Sequence, residues 1–120
     1  LNLYITFTYK FIRCKLVGKS NIKVERLDSI LSKHLPDEVK IDFLSIDVEG
    51  LDLAVLKSNN WDLFRPACVL VESLDSSLEK AMQGEIFKFM TARGYELFAR
   101  TYNTLIFRVQ EDAMFDVENA

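Results

Sequence analysis

Two cysteines and one histidine are all that this chain of 120 residues holds for soft-metal or thiol chemistry. Cys14 and Cys68 stand far apart, with no Cys-x-x-Cys spacing and no Cys/His cluster, so neither a disulfide framework nor a zinc site of the usual kind is expected. Cys68 falls in an apolar run, where a thiol behaves as a small hydrophobe. His34 reads as a surface residue at a helix end. Glycine occurs only at 18, 50, 84 and 94, so the chain holds no glycine-rich strand-to-helix loop to bring backbone amides against a nucleotide. Asn2, Thr6, Thr8 and Lys10 break the longest N-terminal apolar stretch far short of the roughly 20 residues of a membrane span. No signal peptide or anchor is evident; with no disulfide pattern, a cytoplasmic setting is favoured. The first residue is Leu1 rather than methionine, which fits a piece of a longer protein.

What is present is the composition of a globular unit: 49% hydrophobic and 28% charged residues, with no low-complexity tract and no internal repeat. The length suits one domain or part of one, spanning 1–120. A net charge of −3 argues against a general electrostatic hold on nucleic-acid phosphates. The charge is uneven: Lys10, Arg13, Lys15, Lys19, Lys23 and Arg26 face only Glu25 in the first 26 residues, leaving an acidic body behind them.

Alternation of apolar and polar residues over 1–11 has the two-residue period of a half-buried strand. A turn at 18–21 and a second strand at 22–26 would complete a hairpin. Asp28 is placed to cap a short helix over 29–34, which Pro36 and Asp37 end. A strand follows at 41–46, then a helix at 51–58, with a left-handed residue expected at Asn59 or Asn60. Trp61 reads as a packing residue. A second buried strand runs from Ala67 to Val71 and ends in Glu72. From Leu78, the positions Ala81, Met82, Ile86, Phe89 and Met90 recur at helical spacing, and Gly94 follows as a C-cap. Strands at 95–100 and 104–109, three residues apart, form an antiparallel hairpin, and the acidic tail from Gln110 is expected to fray. The alternation of strand and helix predicts a three-layer α/β domain with a mainly parallel sheet and a C-terminal antiparallel hairpin.

The most informative stretch is Ile41-Asp-Phe-Leu-Ser-Ile-Asp47-Val-Glu49-Gly50: an apolar strand that stops at two carboxylates and a glycine before a helix. In open α/β sheets, ligands bind outside the carboxyl ends of the strands, so this junction is the candidate site. Acids at a helix start also gain from its dipole, which suffices for Asp52. Gly50 permits a turn or close approach that a Cβ would block. Glu72 ends the neighbouring strand on the same edge. Two carboxylates are too few to argue for a metal ion.

The segments Val24-Glu-Arg-Leu-Asp28-Ser-Ile-Leu31, Ile41 to Lys57 and Pro66 to Glu72, followed by Phe89 to Tyr95 and Asn103 to Phe107, resemble the C-terminal half of the FkbM family of S-adenosylmethionine-dependent methyltransferases. The resemblance covers about 22–109 and is most specific at Ile-Asp-Val-Glu-Gly. It implies a partial Rossmann-like, class I methyltransferase-like domain whose Gly-rich cofactor-binding half is absent from this chain, so that the chain alone would bind S-adenosylmethionine poorly. It implies methyl transfer to a hydroxyl oxygen of a small molecule, sugar or lipid-like acceptor. Asp47 would orient or deprotonate the acceptor with Glu49 assisting, Asp47 and Gly50 would face the cofactor, and Glu72 would line the acceptor pocket. Ser45 stands where the family often has lysine. Two other classes fit part of the pattern. A phosphorelay receiver would phosphorylate Asp47, but the acidic pair and the lysine that it needs are missing. A non-catalytic interaction module, or a degenerate methyltransferase, fits the missing half, and an exposed sheet edge would then invite pairing with a second copy.

Overall fold

The computed structural model describes Gly18 and residues 21–110. The strand expected over 1–11 and the acidic tail after Gln110 lie outside the described residues. The elements are α1 (Leu27–His34), β1 (Phe43–Ile46), α2 (Asp52–Lys57), β2 (Cys68–Glu72), α3 (Leu78–Gln83), α4 (Glu85–Thr91), β3 (Tyr95–Arg100) and β4 (Thr104–Val109). Among the described residues no helix is long and apolar enough to cross a membrane.

The four strands form one sheet in the order β1-β2-β4-β3. Only β1 and β2 run parallel; β4 is antiparallel to both β2 and β3. The mainly parallel sheet expected from the sequence is therefore corrected to a mixed one. The reason is the closing hairpin: β4 enters between β2 and β3, a non-local pairing that alternation along the chain does not encode.

Register sorts the core onto one face. Leu44 and Ile46 lie opposite Val69 and Val71, which in turn lie opposite Phe107 and Leu105. These residues, with Leu56 of α2, Ala81 of α3, Met90 of α4, Trp61 and Tyr95, make a single apolar cluster. On the other face Leu70 and Ile106 are half-buried, while Phe43 of β1, an edge strand among the described residues, is 66% exposed and Phe98 of β3 61%. So β1 is not the strand buried on both faces that its apolar run suggested.

Local chemistry explains the element ends. Ser77 caps α3 by accepting from the Lys80 amide at 3.3 Å. The single helix expected from Leu78 is broken at Gly84, whose extended ψ of 163° ends α3 and starts α4. A Cβ there would sit 3.1 Å from the Ala81 carbonyl oxygen. Gly94 has φ +74° and closes the turn after α4. Residues 21–26 form no strand, so the expected hairpin is not seen there; Ile22 and Val24 are exposed. Helix α1 begins at Leu27, with Arg26 rather than Asp28 at the cap position. Asp28 lies within the first turn, where the hydrogen-bonded Arg26 guanidinium, 2.6 Å away, holds its carboxyl below the usual range. Neither Asn59 nor Asn60 is left-handed. The Asn59 amide instead donates to the Phe64 carbonyl at 2.9 Å, and the Asn60 side chain accepts from the amides of Asp62 and Leu63. Trp61 is buried, donating to the Leu56 carbonyl at 2.9 Å and meeting Phe89 and Tyr95 edge-on.

Candidate active site

Parallel pairing brings the C-terminal tips of β1 and β2 side by side, with Ile46 opposite Val71. Beyond Ile46 the chain reverses within four residues. Glu49 at φ +52° and Gly50 at φ +91° make that reversal, the first with the strain of a side chain in the left-handed region and the second without it. Asp52 holds the turn. Its carboxylate, with the residue only 4% exposed, accepts from the Val48 amide at 3.2 Å and the Gly50 amide at 3.1 Å. The helix-start role read for this acid thus takes a specific form: Asp52 satisfies two amides of the preceding loop.

Beyond β2 the chain is tied to the β3–β4 hairpin. The Ser73 amide donates to the Asn103 carbonyl at 2.8 Å, and the Asn103 side-chain amide donates to Glu72 Oε1 at 3.1 Å. The buried Ser73 hydroxyl donates to Asp75 Oδ2 at 2.5 Å. Arg100 Nη2 donates to the Asp75 carbonyl at 2.5 Å and the Tyr102 carbonyl at 3.2 Å.

Between these two loops lies a cleft of about 340 Å³. Its polar wall is Gly50, Asp52, Glu72, Ser73 and Asp75, and its apolar wall is Leu53, Leu74 and Ile86. Among the described residues no lysine, arginine or histidine lines it. Gly50 and Glu72 therefore meet in one cavity. Asp47 and Glu49 are exposed beside it and do not line it. Their charges still reach it: burial first, then Asp47, Glu49 and Asp52, hold the Glu72 carboxyl above the usual range, while the bond from Asn103 pulls the other way. Among the described residues no group of three or more His, Cys, Asp or Glu is arranged to hold a metal ion.

Sequence reasoning did not single out Ser73, Asp75 and Asn103 for the site. Asn103 sits 31 residues from Glu72 and reaches it only because β4 pairs with β2. The signal available was local: a polar Ser-x-Asp step directly after an apolar strand.

The carboxylate-walled cleft of this α/β domain lies at the carboxyl tips of its parallel strand pair, the edge at which open α/β sheets take ligands. The chain belongs to the methyltransferase FkbM domain family, whose model matches residues 8–97. That match begins upstream of the resemblance read at 22–109 and ends within β3. Comparisons with curated proteins and with solved structures returned no match.

Proposed function

We propose that this domain takes part in S-adenosylmethionine-dependent methyl transfer to a hydroxyl oxygen of a small-molecule, sugar or lipid-like acceptor, at the cleft between the 47–52 turn and the 72–75 loop. The observation that carries the reading is the composition of that cleft: among the described residues, three carboxylates and no cationic side chain line its wall. Such a wall suits the sulfonium and ribose hydroxyls of the donor and a neutral hydroxyl acceptor, and it disfavours a phosphorylated acceptor. The residues therefore fit the methyl donor by charge: Gly50 in the cleft wall would contact it, with the charge of Asp47 beside the cleft. Bound there, the donor supplies an electrophilic methyl group on a sulfonium.

The protein's part is orientation and proton management. A carboxylate beside the sulfonium stabilises a ground-state charge that disperses in the transition state, so that contact binds donor without accelerating transfer. Asp47 is accordingly read as orienting the acceptor, with Glu49 assisting and Glu72 contacting the acceptor from the opposite loop. The test is label transfer from S-adenosylmethionine to a set of neutral hydroxyl acceptors by the full-length protein. Asp47→Asn is expected to lower turnover by about 10²-fold or more. Unchanged turnover in that variant would remove Asp47 from the mechanism.

A further inference from the structure

We propose that Glu72 is the proton acceptor of the methyl transfer and that Asn103 is the residue that positions it, an inference that rests on reading the cleft as a methyl-transfer site. Of the carboxylates in the cleft wall, the other two are occupied locally. Asp52 takes the amides of Val48 and Gly50. Asp75 takes the Ser73 hydroxyl at 2.5 Å, while its carbonyl is held by Arg100. Glu72, like Asp75, has one carboxylate oxygen engaged, but its partner Asn103 reaches Oε1 at 3.1 Å from across the sheet and not from its own loop.

Asn103 is well placed to aim that group. Its carbonyl accepts the Ser73 amide and its side chain donates to Glu72, so one residue grips the last position of β2 and the residue after it. The adjacent pair Glu72 and Thr104 is in register across the sheet, which sets the hairpin against the strand tip. The orientation is thus built before any ligand arrives.

The surroundings also set the basicity. Asp47, Glu49 and Asp52 crowd Glu72 from the β1–α2 side, Asp75 belongs to its own loop, and Asn103 and Arg100 come from the hairpin. Burial and the first three acids raise the pKa of its carboxyl above the ordinary value, and Asn103 restrains that rise. A base nearer the working pH transfers protons more effectively. Asp47 and Glu49, outside the cleft wall, thereby affect the chemistry through their charge.

The step balances without a further reactant. The proton passes from the acceptor hydroxyl to a Glu72 carboxylate oxygen as the acceptor oxygen's electron pair forms the new bond to the methyl carbon. The electrons of the carbon–sulfur bond stay on sulfur, which becomes neutral.

Two measurements test this. Protein labelled with ¹³C at glutamate carboxyls is titrated by NMR without any donor, the Glu72 signal being assigned by its loss in Glu72→Gln. It should titrate above the usual carboxylate range and move higher still in Asn103→Ala, which removes the bond favouring the carboxylate. An ordinary titration, or no upward move in Asn103→Ala, would overturn the proposal. In the second measurement, radiolabelled methyl transfer to octyl glucoside, glycerol and catechol is followed against pH. Glu72→Gln, shown to be folded by circular dichroism, should lose about 10²- to 10⁴-fold in rate. Asn103→Ala should move the acidic limb to higher pH. Transfer that survives Glu72→Gln unchanged sinks the base assignment alone, whereas wild-type protein that methylates none of the three probes counts against the underlying methyl-transfer reading.

Discussion

Asp52 illustrates how one side chain can set a loop. Its two carboxylate oxygens each take a backbone amide from the turn that precedes it, and between those amides stands Glu49 in the left-handed region. Bonds from amides to a charged acceptor contribute about 1.5–3 kcal/mol each, and removing the acceptor strands both donors. Asp52→Ala should therefore lower stability by roughly 2–4 kcal/mol, read as a shift of the urea midpoint at unchanged m-value. A change below about 0.5 kcal/mol would mean that water replaces the carboxylate at no cost. Gly50 at φ +91° completes the turn; open space surrounds its Cα, so its constraint is backbone conformation, not crowding. Asp47, Glu49, Gly50 and Glu72 were all legible in the sequence as strand-end residues. Which of them line a cavity was not, because that depends on where neighbouring loops fold.

At the scale of elements, β2 and β3 are joined by more than the sheet. Tyr95 opens β3 and its buried hydroxyl donates to the Pro66 carbonyl, just before β2, at 2.6 Å. Trp61 meets its ring edge-on, and the Arg65 guanidinium lies 5.0 Å from the ring centre. Burial above all pushes this phenol up to about 12, from an ordinary value of 10.0. In the unfolded chain the proton is lost first, so between those values the folded state binds more protons and stability falls as pH rises. The contribution is complete below about pH 10 and is lost towards about pH 12. The difference in unfolding free energy between wild type and Tyr95→Phe should shrink across that window; a pH-independent difference would show that the hydroxyl is not held neutral by its site. The hairpin of β3 and β4 was legible from two apolar runs around a three-residue turn, and Trp61 from its place after a helix. The break at Gly84 was not, because the apolar spacing continues through it.

For the whole molecule, strand order governs where the fold is most secure. Both β2 and β4 have neighbours on each side, whereas β1 pairs only with β2 among the described residues. Core residues Val69, Val71, Leu105 and Phe107 are all 1% exposed or less. Native-state hydrogen exchange should accordingly show the slowest amides in β2 and β4, with β1 faster and residues 21–26 fastest. Protection of β1 equal to that of β2 would contradict this ordering.

Local chemistry along the chain was enough to determine the kind of each element from Leu27 to Val109, the acidic junction after β1, and the family to which the domain belongs. Those follow from periodicity, turn residues and contiguous motifs, all short-range properties. Tertiary structure alone decided that the sheet is mixed, that Glu72 meets Asn103, and that Asp52 rather than Asp47 faces into the cleft. Each of these depends on contacts between segments brought together by folding, or on a turn whose direction is set by one buried carboxylate, and neither leaves a periodic trace in the order of residues.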